Sequence, residues 1–159
     1  MYSFFSDPSL CAYKYDKITS ATMQDFPVAK KLASAFHTRR FFSVANYQNK
    51  AVYLTGGKTC CDLLTSIIVF KLDSETFIEG PPINIGRRNH SSTSSGHIVA
   101  IFGGWNNNDQ YFSSIEYLDV IENDRWQFLN DFVTIIPRMR ALFIPISPTK
   151  FIVCGGISK

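Results

Sequence analysis

The sequence predicts an all-β protein made of repeated four-stranded antiparallel sheets. Aromatic residues make up 14% of the 159 residues, which favours β-strands. Three Gly-Gly pairs recur along the chain, and their first glycines lie 47 residues (56 to 103) and 52 residues (103 to 155) apart. A period near 50 residues with strand-like segments is typical of a β-propeller or another repeat array. The alternative is three unrelated Gly-Gly pairs at hairpin bends.

Each Gly-Gly pair ends the same local pattern. An Arg lies 16 or 17 residues before the first glycine, and a strand, a turn and a second strand fill the interval. The arginines are Arg39, Arg87 and Arg138, and the glycine pairs are Gly56-Gly57, Gly103-Gly104 and Gly155-Gly156. The first strands are expected at 41–47, 90–94 and 141–146, and the second strands at 52–54, 98–102 and 151–154. The turns between them contain Asn49, Gly96 and Pro148. Asn and Gly accept the left-handed backbone of a tight hairpin, and Gly lets two backbones approach closely.

Two more strands follow each of the first two glycine pairs. They are expected at 66–73 and 77–78, and then at 114–120 and 125–128. Both sets carry two aromatic residues in matching places, Phe70 and Phe77 in one set and Tyr117 and Trp126 in the other. Four short strands joined by hairpins are the size of one propeller blade.

The order Gly-Gly, aromatic, aromatic, Arg resembles the Kelch repeat. The resemblance covers roughly residues 39–157, and Phe77 departs from it because the family usually has Trp there. It implies a β-propeller of Kelch blades, which most often recognises other proteins. Trp126 and Phe77 are large enough to fill the wedge between neighbouring sheets. The three arginines are expected to link one blade to the next by hydrogen bonds rather than to bind a ligand.

The repeat divides the chain into an N-terminal segment at 1–38, blades at 39–86 and 87–136, and the first two strands of a further blade at 137–159. The N-terminal segment is expected to hold outer strands of a partial blade, with candidates at 10–15 and 18–23, while 28–36 is equally compatible with a short helix. Closed propellers have about four to eight blades, so about three blades of four-stranded antiparallel sheet predict an incomplete propeller, an open arc. Three explanations stay open: a piece of a longer propeller, assembly with copies or partners, or an open arc.

Composition excludes several classes of protein. Apolar residues at 45% and charged residues at 18% indicate a chain that folds around a core. A net charge of +3 is too small to indicate a nucleic acid or a membrane surface as the partner. No apolar run approaches the roughly 18 residues that span a bilayer. The start of the chain resembles no secretory signal, and its four cysteines are expected to be buried or half-buried free thiols, so we expect a cytoplasmic protein.

A binding face is expected at one edge of the sheets, because the first strand of each unit starts where the second one ends. The residues after each Arg therefore lie beside the residues after each Gly-Gly. Cations and side-chain amides dominate this set, whose candidate contact residues are Arg40, Lys58, Arg88, Asn89, Trp105, Asn106, Asn107 and Arg140. Arg presents forked donors to carboxylates and Trp is common at interfaces, so we expect an acidic peptide or loop of another protein. Solvated loop charge is the alternative.

No catalytic or cofactor motif is found. His37, His90 and His97 lack metal-ligand spacing, and Cys60-Cys61 has no second cysteine pair. The sequence has no nucleophile elbow and no glycine motif for phosphates or dinucleotides. We therefore expect a non-catalytic scaffold or adaptor module that needs no cofactor. The alternative is a fragment of an enzyme similar to the copper-dependent galactose oxidases.

Overall fold

The structure is a computed structural model that describes residues 2–6, 9–14, 30–130 and 136–158, with side chains from residue 38 onward. These residues form β-strands arranged in antiparallel sheets and contain no helix. The described part of the chain accordingly has no helix that could cross a membrane. The chain divides into two compact units, Met1–Arg39 and Arg40–Lys159.

The first unit is a three-stranded antiparallel sheet of β1 (Tyr2–Ser6), β2 (Ser9–Lys14) and β3 (Lys30–His37), in that order. The strand predicted at 10–15 overlaps β2, whereas the strand predicted at 18–23 lies outside the described residues. The helix considered for 28–36 is wrong over its described part, because β3 pairs with β2 from His37 to Lys30. Pairing with a neighbouring strand outweighs the local helix preference of Ala, Lys and Leu. The assignment of this segment to a partial blade stays a prediction.

The second unit contains three sheets, which we call the first, second and third sheets in chain order. The first sheet contains β4 (Ser43–Tyr47), β5 (Ala51–Thr55), β6 (Ile67–Lys71) and β7 (Thr76–Gly80). The second sheet contains β8 (Ser91–Ser95), β9 (Ile98–Phe102), β10 (Ile115–Asp119) and β11 (Gln127–Phe128). The third sheet contains β12 (Leu142–Ser147) and β13 (Lys150–Cys154). Each sheet is antiparallel with its strands in chain order. The predicted all-β fold of repeated four-stranded sheets is confirmed, and the array is incomplete because the described third sheet has two strands.

The strand registers make the three sheets equivalent residue by residue. Thr55, Phe102 and Cys154 end the second strands and pair with Ser43, Ser91 and Leu142. By the same alignment, Ile68 of β6 corresponds to Glu116 of β10, and Phe77 to the residue Trp126 just before β11. The tight turns lie where they were predicted, since Asn49 and Gly96 have φ values of 54° and 56°. Their left-handed backbone is the conformation that these hairpins require.

The innermost strands are held together by a run of hydroxyl groups on β8, whose sequence is Ser-Ser-Thr-Ser-Ser. On one side, Ser92 Oγ donates to Ser43 Oγ at 2.7 Å and Ser94 Oγ donates to the carbonyl of Asn46 in β4. On the other side, Ser91 Oγ donates to the carbonyl of Ala141 and Ser95 Oγ to that of Ser147, at 3.0 Å for Ser95. Small side chains allow the strands to approach closely, and their alternation supplies hydrogen bonds to both neighbours.

Two hydrophobic clusters fill the spaces between neighbouring sheets. The first lies between the first and second sheets and contains Tyr53, Val69, Ile101 and Trp126. The second lies between the second and third sheets and contains Phe102, Ile115 and Phe143. The indole of Trp126 is 2% exposed, and its Nε1 donates to the carbonyl of Pro81 at 2.9 Å. The residue therefore occupies the wedge expected for it. Phe77 is half-buried and packs on Phe70, with ring centroids 4.8 Å apart.

The prediction that the cysteines are buried is wrong for the three whose side chains are described. Cys60, Cys61 and Cys154 are free and exposed, while the side chain of Cys11 lies outside the described residues. The adjacent Cys60 and Cys61 lie in the loop after Gly57. Cys154 ends β13 on the face where no further described sheet packs.

Candidate functional site

The predicted contact residues lie at or next to backbone bridges just outside the ends of the strands. Arg40 forms a two-way bridge with Lys58, with N···O distances of 2.8 and 2.9 Å. Arg88 forms the equivalent bridge with Trp105 at 3.1 and 3.0 Å, and Met139 with Ile157 at 3.0 and 2.9 Å. In each sheet, the residue after the Arg is thus paired with the residue after the Gly-Gly. We call the edge that carries Arg40, Lys58, Arg88, Asn89, Trp105, Asn106, Asn107 and Arg140 the loop face.

A row of left-handed residues aligns the three sheets along the loop face. Phe41, Asn89 and Arg140 occupy equivalent positions and have φ values of 58°, 52° and 54°. The N–H of Asn89 donates to the carbonyl of Phe41 at 3.0 Å, and the N–H of Arg140 donates to the carbonyl of Asn89 at 2.7 Å. Phe and Arg are strained in this conformation, which persists because hydrogen bonds to neighbouring sheets hold it. Asn89 and Arg140, both predicted contact residues, are therefore adjacent in space.

The glycine pairs join each sheet to the next through the backbone. The N–H of Gly57 donates to the carbonyl of Arg87 at 2.9 Å, and the N–H of Gly104 donates to that of Arg138 at 2.8 Å. A Cβ on Gly56 would lie 2.8 Å from the carbonyl oxygen of Arg87, closer than any side chain tolerates. Gly is therefore required where the next sheet approaches.

Arg87 and Arg138 act differently from the expectation, since their side chains bind within their own sheets. Arg87 is fully buried, and its guanidinium donates to the carbonyl of Gly103 at 2.8 Å and to Glu116 Oε1 at 2.5 Å. Arg138 donates to the carbonyl of Gly155 at 2.8 Å. It is the backbone carbonyls of Arg87 and Arg138 that link neighbouring sheets. Burial lowers the pKa of Arg87, an effect opposed by the charge of Glu116, and burial lowers the pKa of Arg39 to about 10.

A buried carboxylate that the sequence reasoning missed completes the link between the first and second sheets. Glu116 Oε2 accepts hydrogen bonds from the backbone N–H of Asn84 at 2.7 Å and from its side-chain amide at 2.9 Å. The same amide donates to the carbonyl of Trp126 at 3.0 Å. The signal was present, because Glu116 shares the strand face of Leu118 within an otherwise apolar run, and a buried charge on an apolar face requires a partner. Here that partner is Arg87.

Arg88 and Trp105 form the centre of the loop face. The Arg88 guanidinium carbon lies 4.0 Å from the centroid of the Trp105 ring, and the Trp105 and Tyr111 rings are 5.9 Å apart. Both residues are half-buried. Arg88 Nε and Trp105 Nε1 are buried and have no hydrogen-bond partner among the described residues. The stack therefore holds a flat cation and an indole in fixed positions at the surface.

The loop after Trp105 holds its own shape. Asn106 Oδ1 accepts from the N–H groups of Asn108 and Gln110 at 2.9 and 3.0 Å, and its amide nitrogen donates to Gln110 Oε1 at 3.0 Å. The side chain of Asn106 is thus engaged within the loop, whereas Asn107 is exposed. Thr59 shapes the corresponding loop of the first sheet, because its Oγ1 accepts from the N–H of Asp62 at 3.0 Å.

Cationic groups prevail on the loop face. Arg40 and Arg140 are exposed and Lys58 is half-buried. Within the described part of the chain, these three residues form no ion pair, and neither does Arg88. The two loops contribute Asp62 and Asp109 as acidic residues. The predicted face is therefore present as a cluster of positions, and its role in binding stays a prediction.

His90 lies buried beneath the loop face and does not resemble a catalytic group. Its Nε2 is 2.7 Å from the hydroxyl of Thr55. Burial, followed by the charge of Arg87, lowers the pKa of His90 to about 3, so the ring is neutral at pH 7. Over the residues with described side chains, no three His, Cys, Asp or Glu residues cluster as metal ligands would. No observation there favours the copper enzyme.

Comparison with known families identifies a motif in the second sheet. Residues 86–132 match the Kelch motif, a stretch that contains Arg87, both glycines of the second pair, Tyr117 and Trp126. The match spans the whole of the second sheet, from just before β8 to beyond β11. No curated protein matches the chain.

Proposed function

We propose that this chain, which carries a Kelch motif at residues 86–132, is a non-catalytic scaffold or adaptor module that binds an acidic peptide or loop of another protein through the loop face. Kelch motifs are typical of protein-interaction modules. The observation that carries the proposal is the placement of Arg88 against Trp105, with further cations on either side. We further propose that the module acts in the cytoplasm.

The chemistry of the central pair favours a carboxylate ligand. The guanidinium of Arg88 is oriented by the indole beneath it, so little side-chain entropy is lost when it binds. Arginine donates two parallel hydrogen bonds to a carboxylate, which is stronger and more directional than a single contact. The exposed Arg40 and Arg140 add positive potential on both sides, and such potential speeds the approach of an acidic partner.

The indole supplies apolar contact area beside the charge. Trp105 is half-buried and packs against Tyr111, so its position is set before a ligand arrives. Aromatic and arginine side chains contribute most of the binding energy at many interfaces. A ligand that combines a carboxylate with a neighbouring apolar side chain would use both parts of the pair.

A direct test is fluorescence anisotropy with labelled peptides and the full chain. We expect peptides with two or more Asp or Glu residues to bind more tightly than matched peptides with Asn and Gln. Arg88→Ala should weaken binding about tenfold or more, because an interface arginine is a frequent hot spot. Binding should weaken as salt is raised, since exposed charges are screened.

The control is Arg125→Ala, which removes the same charge outside the loop face. Arg125 is 85% exposed at its side chain and lies on the hairpin before β11. Its substitution should leave peptide binding unchanged. Equal affinity for acidic and neutral peptides, or equal losses in the two variants, would contradict the proposal.

A further inference from the structure

Two adjacent cysteines, Cys60 and Cys61, lie at the tip of a short hairpin loop after the first glycine pair. Lys58 pairs with Leu63 at the base of this loop, which we call the cysteine hairpin (residues 58–63). Both thiols are free and exposed, and their Sγ atoms are 3.3 Å apart. The two sulfurs are therefore in contact with each other and open to small molecules in solution.

Hydrogen bonds of the cysteine hairpin hold the two thiols in place. The N–H of Thr59 donates to the carbonyl of Asp62 at 2.9 Å, which closes the turn. Thr59 Oγ1 accepts from the N–H groups of Cys61 and Asp62 at 3.3 and 3.0 Å. The carbonyl of Gly57 accepts from the N–H of Leu64 at 2.9 Å and anchors the hairpin beside the first glycine pair. The two thiols are thus presented together on a hydrogen-bonded turn.

Two thiols in contact react differently from one, because the second can displace a group that the first has bound. A thiolate attacks a disulfide sulfur and forms a mixed disulfide, which a neighbouring thiolate can attack in turn. The hydrogen bond with Cys60, followed by the charge of Cys60, raises the pKa of the Cys61 thiol. Cys60 is therefore expected to attack first. Once Cys60 has reacted, its charge no longer opposes the ionisation of Cys61, which can attack second.

We propose that Cys60 and Cys61 form a reversible oxidation site whose oxidant is a small disulfide of the glutathione type. The Cys60 thiolate attacks one sulfur of the oxidant, so that a mixed disulfide forms, the S–S bond of the oxidant breaks, and the released thiolate takes up a proton. Cys61 Sγ then loses its proton and attacks Cys60 Sγ, which forms the Sγ–Sγ bond and releases the second small thiol. Two protein thiols are thereby oxidised to one disulfide, and one small disulfide is reduced to two thiols.

The disulfide should be easy to reduce again. The Cα atoms of adjacent residues are about 3.8 Å apart, whereas those of most disulfide-bonded residues are roughly 4.4–6.8 Å apart. A disulfide between neighbours is therefore strained, and strained or exposed disulfides are the labile ones. The proposal does not rest on the proposed function, because it uses the thiols of the cysteine hairpin and not the cations of the loop face.

The test is incubation of the full chain with oxidised glutathione, followed by alkylation of the remaining thiols, trypsin digestion and mass spectrometry. Cleavage after Lys58 and Lys71 yields a peptide of residues 59–71, which contains both cysteines of the pair and no other cysteine. We expect this peptide to lose two hydrogen atoms and to carry no glutathione. The internal control is the peptide of residues 151–159. Its Cys154 is exposed but has no adjacent cysteine in the sequence, so it should retain one glutathione.

The variants Cys60→Ser and Cys61→Ser each remove one thiol at an exposed position, so both should fold. In either variant, the 59–71 peptide should carry one glutathione, because no second thiol displaces it. An unmodified 59–71 peptide in the unchanged chain, glutathione retained on it, or a disulfide that joins it to another peptide would overturn the proposal. A disulfide that persists in excess reduced glutathione would overturn it as well, since the oxidation would then not be reversible.

Discussion

The two junctions between neighbouring sheets share an inner half and differ in the outer half. At both, a glycine N–H binds the carbonyl of the next signature arginine, and β8 hydroxyls bind the adjacent innermost strand. Trp126 packs into the outer half of the first junction, which keeps a groove of about 350 Å³, whereas the second junction has a larger groove of about 530 Å³. The inner hydrogen bonds therefore position the third sheet, for which the described residues provide no outer strand.

This difference separates two kinds of stabilisation in a repeat array. Backbone hydrogen bonds set the spacing of the sheets, and each contributes a modest net free energy. Burial of an outer aromatic residue contributes several times more, because the stabilisation grows with the apolar area removed from water. The first junction has both and the second has mainly the former, so substitutions at equivalent positions should have unequal effects.

Trp126→Ala should have the largest effect, because it would convert the first junction into a copy of the second. The indole is 2% exposed, and removal of a buried Trp side chain costs about 3–5 kcal/mol of unfolding free energy. Chemical denaturation followed by circular dichroism measures it. Phe128→Ala, two residues further on at a ring that is 38% exposed, should cost about 1 kcal/mol or less. Equal losses in the two variants would show that the wedge does not depend on the indole.

The sequence predicted the features that repeat. The glycine pairs, arginines, hairpin turns and most strands recur at matching offsets, and each follows from a local requirement such as the left-handed backbone of Gly96. Trp126 was assigned to the wedge because only a large apolar side chain fills such a space. The departures lie in Arg87 and Arg138, whose carbonyls rather than side chains join the sheets.

The features that occur in a single repeat could not be predicted. Glu116 has Ile68 as its counterpart, and Asn84 binds it from a loop that no repeat position marks. The groove depends on the number of strands that the described third sheet contains, which no residue type specifies. For the loop face, pairing of strand starts with strand ends was enough to place Arg88 beside Trp105, but not to show that the loop itself engages Asn106.

Gly103 and Gly155 allow a matched comparison of a covered position and an open one. Both have left-handed φ values, 67° and 66°, so Ala should cost each about 1–2 kcal/mol for conformation alone. A Cβ on Gly103 would also clash with the carbonyl oxygen of Arg138, whereas one on Gly155 has no atom within 4 Å. Gly103→Ala should therefore destabilise by about 1–3 kcal/mol more than Gly155→Ala. The same denaturation assay measures both, and equal losses would mean that the next sheet does not press on Gly103.

The smallest effect should come from substitution of His90, an acid-sensitive residue at the first junction. Its counterpart at the second junction is Ala141, which cannot titrate. The pKa of His90 is lowered to about 3 from an unfolded value near 6.5, so between these values the unfolded chain binds a proton that the folded chain does not. The contribution of neutral His90 to the free energy of unfolding is then complete above pH 6.5. As the pH decreases below that value, the free energy of unfolding falls by at most about 1.4 kcal/mol per pH unit. His90→Gln should flatten this slope between pH 6.5 and 5, whereas His97→Gln, at a half-exposed ring, should retain it. An unchanged slope in His90→Gln would assign the acid sensitivity to other groups and remove this distinction between the junctions.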